Sequence, residues 1–367
     1  PIDGRILVYA GGKNYGESQY DRVTQAVRPP GSAFKPIVYA AAMEKGISPN
    51  DLVDDSPITI GTWSPRNSSR HYRGKIPVYK ALMVSSNVCA ARIIQDVGIR
   101  SVIQLAKVLG LTTPLQYDYT IALGSNGVKL FEFVRAYGAF ANGGYVVQPY
   151  AIERIEDSRG RVLYRAGKAK SSHQISLKTA AEMTAMMKTV ILSGTGTAAN
   201  IGKPAAGKTG TTDDSRDAYF VGYTPDIVTG VWVGDDNNKK IPGLYGGTVP
   251  ARIWKDIMTV ATRDLGDRDF DYPEIELTNY HKGFGKPKVI GDDENPSNEG
   301  RTVTPAEAPA VENNSEEPAS APTASTKEVS PTVETKQAAP KPQSAPVPQK
   351  TTSKAAPIPM AVPEGMR

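Results

Sequence analysis

Hydrophobic positions along this chain keep three different rhythms. Residues 4–11 and 20–27 are short apolar or alternating runs bounded by Gly, Asp and Arg, which predicts two strands. From there to residue 193, apolar side chains recur at helical spacing and predict helices over 32–45, 78–96, 100–109, 129–142 and 177–193. A period of two then returns over 204–211, 217–224 and 227–234, with turns at DDSR and TPD between the strands, and a last helix follows at 249–264. Strand runs set apart from helix runs indicate an α+β fold. The two early strands are expected to join the three late ones in one five-stranded antiparallel sheet packed against the helical cluster, with Lys208 on an edge strand facing the helices. Tyr219 and Phe220 are neighbours on a strand and point to opposite faces, so one of them is expected to face the helices.

The patterning stops near residue 281. Beyond it lie 14 of the 29 prolines, one Phe and no Trp or Tyr, in a mixture of Ala, Pro, Ser, Thr, Lys and Glu. Such a composition does not bury enough apolar surface to order itself. Residues 281–367 are therefore read as a mostly disordered tail behind a folded domain over 1–280.

Charge narrows the function classes. The net charge of +5 is small and unclustered, and no basic stripe with interleaved aromatics points to nucleic acid. There is no apolar run of about 18 residues and no signal-peptide pattern, so the chain as given reads as soluble. His71, His173 and His281 have no metal-ligand spacing, and no metal or other cofactor is implied. The single cysteine, Cys89, makes no internal disulfide and reads as a small buried hydrophobe.

The chemistry concentrates in GKPAAGKTGT, Gly202 to Thr211. It fits the phosphate-cradling G-x-x-x-x-G-K-[ST] and also the K-T-G of serine acyltransferases. A phosphate loop needs an apolar strand before it and a helix after it, because helix-terminal N–H groups do the cradling. Here a small polar stretch precedes and an alternating aromatic strand follows, so the K-T-G reading prevails. That reading demands an S-x-x-K and an S-x-N upstream. Ser32-Ala33-Phe34-Lys35 is the only S-x-x-K, and Ser85-Ser86-Asn87 supplies the S-x-N; a second, Ser48-Pro49-Asn50, sits in a turn-rich loop. An S-x-x-K or an S-x-N turns up about once by chance in a chain this long and a K-T-G in roughly one chain in ten, so their settings add to their presence.

Ser32 follows the rigid turn Arg28-Pro29-Pro30-Gly31 and opens a helix. Ser32 and Lys35, three apart, then share one helix face, which places a nucleophile beside a base. A plain helix cap at Ser32 is the alternative. For Lys35 to act as a base near neutral pH, its pKa must fall about three units from roughly 10.4, through burial or a second cation. Lys208 is the candidate cation. Lys35 would activate Ser32, while Ser85 and Lys208 relay a proton to the leaving amine. Asn87 would hold a substrate amide, and the N–H groups of Ser32 and Thr211 would form an oxyanion hole. Gly210 would let a substrate strand approach the sheet edge, and the hydroxyls of Thr209 and Thr211 would suit a carboxylate.

The stretches RPPGSAFKP, ALMVSSNVCAARI, ALGSNGVKLFEFVRAYGAFANGG and AAGKTGTTDDSRDAYFVGYTPDIVTGVWVGDD resemble the transpeptidase module of class A bifunctional penicillin-binding proteins, over roughly residues 1–265. The resemblance implies a serine β-lactamase-like fold and a peptidoglycan D,D-transpeptidase. Ser32 would attack the D-Ala-D-Ala carbonyl of a stem peptide, release the terminal D-Ala and pass the acyl group to a neighbouring amine; β-lactam antibiotics would acylate the same Ser32. It also implies a longer, membrane-anchored protein at the outer face of the bacterial cytoplasmic membrane. That protein would carry a glycan-polymerising domain absent from this chain and would contact other cell-wall synthesis proteins. The middle motif is SSN where β-lactamases carry S-D-N, and no E-x-x-L-N lies between Asn87 and Lys208, so rapid β-lactam hydrolysis is not expected. A non-catalytic β-lactam or muropeptide sensor, or a D,D-carboxypeptidase, would share these motifs. Trp63 and Tyr72 lie between the first two motifs and are candidates to line the cleft; Arg216 and Asp217 belong to the hairpin.

Overall fold

The computed structural model describes residues 1–278 and 289–290. A 3-10 turn, Gly31–Phe34, runs into helix α1 (Lys35–Glu44). The helical cluster continues with α2 (Val78–Met83), α3 (Asn87–Val97), α4 (Ile99–Val108), α5 (Leu130–Ala141) and α6 (Leu177–Ser193), and α7 (Val249–Ala261) comes after the main strands. Short strands β1 (Val27–Arg28) and β4 (Val128–Lys129) pair with each other, and β2 (Leu52–Asp54) pairs with β3 (Lys75–Pro77). Strands β5 (Tyr145–Val147) and β8 (Ser171–His173) form a second small pair, and β6 (Arg154–Glu156) and β7 (Val162–Arg165) form an exposed hairpin. The sheet that matters comprises β9 (Ala206–Thr211), β10 (Asp217–Tyr223) and β11 (Val228–Gly234). It is antiparallel in the order β11-β10-β9, so Lys208 lies on an edge strand, opposite Val221.

The α+β class matches the expectation, but the five-stranded sheet does not: among the described residues this sheet has three strands. Residues 4–11 keep a single bridge, Arg5 to Tyr150, and 20–26 turn rather than extend, leaving only Val27 to enter β1. Asp21 causes the turn. Its carboxylate accepts the Val23 N–H and the hydroxyls of Thr24 and Tyr9, and its carbonyl takes the Gln25 N–H. Side chain-to-backbone bonding of this kind competes with a strand ladder.

Helices cover both faces of the sheet. Tyr219 packs against Phe133 of α5 with ring centroids 6.3 Å apart, whereas Phe220 meets Trp254 of α7 at 5.1 Å. Both are buried, so the expectation that one alone faces helices is corrected by α7, which lies against the far face. The predicted helix over 78–96 is two helices. α2 ends in a Schellman motif: the Ser86 N–H bonds the Ala81 carbonyl and the Ser85 N–H bonds the Leu82 carbonyl. The residue that must turn left-handed there is Ser85, at φ 59°, where glycine is usual. Ser86 then caps α3 by accepting the Cys89 N–H at 3.0 Å.

Val289–Ile290, inside the stretch read as tail, form strand β12, which pairs parallel with Leu52–Val53, and Ile290 is buried in the core. The rest of the tail assignment lies outside the described residues. No helix among the described residues is long and apolar enough to cross a membrane.

Trp254 is fully buried, packs on Phe220 and donates its indole N–H to the Thr229 carbonyl at 3.1 Å. Trp254→Ala is expected to lower the unfolding free energy by about 3–5 kcal/mol, through the cavity and the orphaned carbonyl, as read by urea denaturation.

Candidate active site

The turn that carries Ser32 is pressed against the end of β9. Gly31 has φ +55°, and a Cβ there would fall 2.4 Å from the Thr211 carbonyl oxygen; a Cβ on Gly210 would fall 2.2 Å from the Pro30 oxygen. Only glycine at both positions lets the two backbones approach this closely. The Gly31 N–H bonds the Gly124 carbonyl at 3.2 Å, and the Tyr137 hydroxyl donates to the Ala33 carbonyl at 2.6 Å. These contacts hold the turn from both sides. Ser32 and Thr211 consequently share the wall of one cleft of about 950 Å³, also lined by Asn87, Trp63, Thr212 and Arg216. Tyr72 does not line it, although Trp63 does.

Behind Ser32 two lysines meet at one hydroxyl. Lys35 and Lys208 are both fully buried. Lys35 Nζ donates to the Ser85 carbonyl at 2.7 Å and to Asn87 Oδ1 at 2.7 Å, and lies 3.3 Å from Ser85 Oγ. Lys208 Nζ donates to Ser85 Oγ at 2.9 Å and to the Thr209 carbonyl at 3.1 Å. The left-handed turn at Ser85 aims both its carbonyl and its hydroxyl at the lysines, so a strained conformation and a chemical contact coincide.

Burial, and then the charge of Lys208, hold the Lys35 ammonium well below its ordinary range. Burial alone lowers Lys208 to about 7. The Ser85 carbonyl and Asn87 Oδ1 can only accept, so two Lys35 N–H groups are committed to them. A neutral Lys35 keeps a lone pair beyond these two bonds, and its third polar neighbour is Ser85 Oγ. With Lys208 charged and Ser85 between the two nitrogens, the arrangement can take up a proton at one end and deliver one at the other.

Of the eight residues singled out from sequence, the three motifs meet at this point, and Gly210 and Thr211 border the Ser32 turn. Thr209 is set back: it is 6% exposed, and its hydroxyl lies 2.7 Å from that of Thr195. Thr211 Oγ1 accepts the Gly246 N–H at 3.0 Å. Asn87 also departs from a purely substrate-facing role, since Nδ2 donates to the Arg66 carbonyl at 2.8 Å while Oδ1 holds Lys35. The phosphate-loop reading is excluded, because β9 leads into another strand and Lys208 is buried.

Sequence reasoning missed Asp55, Asn67 and Thr195. They reach Ser86, Asn87 and Thr209 across 14 to 31 residues of chain, with no local motif to mark them. Among the described residues no group of three or more His, Cys, Asp or Glu side chains is arranged to hold a metal ion.

A family model for the penicillin-binding protein transpeptidase domain matches residues 1–259. The chain is 35% identical over 305 residues to penicillin-binding protein 1A of Neisseria lactamica, covering 79% of this chain and 38% of that protein. It is 36% identical over 323 residues to penicillin-binding protein 1A of Pseudomonas aeruginosa, covering 72% of this chain and 39% of that protein. It thus spans about two-fifths of the length of these relatives. Among solved structures, penicillin-binding protein 1A from Haemophilus influenzae aligns with a TM-score of 0.68 at 30% identity, over 72% of this chain and 46% of that one. The PonA1 protein from Mycobacterium tuberculosis, solved in complex with penicillin V, aligns with a TM-score of 0.65 at 26% identity, over 76% of this chain and 79% of that one.

The buried lysines make a testable demand on stability. Lowering Lys208 from 10.5 to about 7 corresponds to a destabilisation of roughly 5 kcal/mol, fully present below the folded-state value and lost as pH rises to the unfolded one. Lys208→Met is therefore expected to be more stable than the parent chain at pH 6, with the advantage shrinking towards pH 10, in denaturant titrations at both pH values.

Proposed function

The chain belongs to the penicillin-binding protein transpeptidase domain family, and from that membership we propose that it is a peptidoglycan D,D-transpeptidase working through an ester on Ser32. The single observation that carries the mechanism is the pair of buried lysines joined by the Ser85 hydroxyl behind the Ser32 turn. Ser32 Oγ attacks the carbonyl of the penultimate D-Ala while its proton passes to neutral Lys35. The developing oxyanion is received by the N–H groups of Ser32 and Thr211, on backbones that two glycines bring together. Lys208 supplies a proton through Ser85 Oγ to the leaving nitrogen, D-Ala departs, and the acyl group stays on Ser32. An amine of a neighbouring stem peptide then attacks the ester, and its proton returns by the reverse route.

Substrate holding divides among the remaining residues. Asn87 retains a second side-chain N–H for a substrate carbonyl. Thr211, at the cleft wall, is better placed to meet the terminal carboxylate than Thr209, whose hydroxyl is already bonded to Thr195. Gly210 leaves room for the substrate strand along the β9 edge. β-Lactam antibiotics would enter as mimics of acyl-D-Ala-D-Ala and remain on Ser32. The setting is the bacterial cell envelope, at the outer face of the cytoplasmic membrane, within a longer membrane-anchored protein whose partners are stem peptides and other cell-wall synthesis proteins.

A labelled penicillin is expected to add one mass equivalent to the intact chain, and Ser32→Ala to abolish the addition; stable labelling of that variant would remove Ser32 as nucleophile. With stem-peptide donor and acceptor, D-Ala release together with cross-linked dimers in the product mixture is expected. Release without dimers would make the chain a carboxypeptidase, and acylation without release under any acceptor condition would make it a sensor.

A further inference from the structure

The loop between β2 and β3 reaches the site through two buried polar side chains that no motif marks. Asn67 is 3% exposed and fully committed: its amide N–H groups donate to Asp55 Oδ1 at 2.8 Å and to the His71 carbonyl at 3.0 Å. Its Oδ1 accepts the N–H of Asn87 at 2.8 Å and of Val88 at 3.2 Å, the first two residues of α3. Asp55, with no exposure, also accepts the Ser86 hydroxyl and the Arg73 N–H at 3.2 Å, and the Arg73 guanidinium lies 3.5 Å away. One residue before Asn67, the Arg66 carbonyl accepts Asn87 Nδ2 at 2.8 Å. That bond decides which way the Asn87 amide faces, and with Nδ2 so engaged it is Oδ1 that meets Lys35.

We propose that Asn67 and Asp55 are positioning residues for the acylation step, clamping the start of α3 so that Asn87 Oδ1 holds Lys35 in the position from which it serves Ser32. The clamp acts from behind, since neither side chain lines the cleft. Ser86 links the two halves, because its hydroxyl donates to Asp55 while it caps α3. The same loop carries Trp63 and Ser68 to the cleft wall, so the segment that meets substrate is also the one that orients the base.

The proposal rests on Ser32 being the acylated residue, and the test separates the two. Acylation of the full chain by a labelled penicillin is resolved by rapid mixing into a non-covalent binding constant, an acylation rate constant and a final stoichiometry. No acylation of the parent chain would fail the nucleophile reading itself. With the parent chain acylated, Asn67→Ala is expected to slow the rate constant by about a hundredfold, the scale of a small misplacement of a reacting group, while the binding constant and the stoichiometry of the folded protein hold. In an Asn87→Ala background the same substitution is expected to add little further slowing, because it acts through Asn87. An Asn67→Ala rate constant within twofold of the parent's, a loss of stoichiometry alone, or additive effects of the two substitutions would overturn the proposal. Should Asn67→Ala not fold, Ser86→Ala serves in its place: a severalfold slower rate constant at full stoichiometry supports the clamp, and an unchanged one overturns it.

Discussion

Two fully buried lysines share the hydroxyl of Ser85, and most of the architecture is arranged to make that tolerable. Two ammonium groups this close, both away from water, repel each other and lose their hydration. The structure answers with acceptors and with neutralisation. Lys35 receives a carbonyl and an amide oxygen; Lys208 receives a carbonyl and the shared hydroxyl. Burial lowers both pKa values, and the charge of Lys208 adds to the fall at Lys35. The cost to stability and the readiness of Lys35 to accept a proton have one origin.

Each flanking element can be read from that constraint. The Schellman turn between α2 and α3 directs the Ser85 carbonyl and hydroxyl to the same point, which a continuous helix would not do, and it requires Ser85 to adopt a conformation that suits glycine. The glycines at 31 and 210 bring the Ser32 turn onto β9, so that Ser32 and Thr211 line one cleft. β10 and β11 brace β9, and α7 covers the face away from the helical cluster, with Trp254 on Phe220. The β2–β3 loop closes the arrangement through Asp55 and Asn67.

Much of this was legible in the residues, for reasons that differ by element. Helices α1, α4, α5, α6 and α7 and the strands β9 to β11 carry local periodicity, and their boundaries lie close to those expected. The motifs SAFK, SSN and KTGT marked the chemistry because the spacing of each is local. What escaped was long-range or competitive. The break at Ser85 hides inside a helical pattern, and the second serine of SSN, a helix cap, was its only sign. Asp21 diverts residues 20–26 from a strand through side-chain bonds that periodicity does not register. Asp55, Asn67 and Thr195 are polar residues in loops, and only the fold brings them to Ser86, Asn87 and Thr209.

The claim on which the rest depends is that burial, with the charge of Lys208 beside it, holds the Lys35 ammonium well below its ordinary range. An NMR titration of isotope-labelled lysine side chains, assigned with Lys35→Arg and Lys208→Arg variants, reads it directly. The account predicts that the Lys35 resonance titrates with a midpoint far below 10.5, with Lys208 near 7. A Lys35 midpoint at its ordinary value would contradict it.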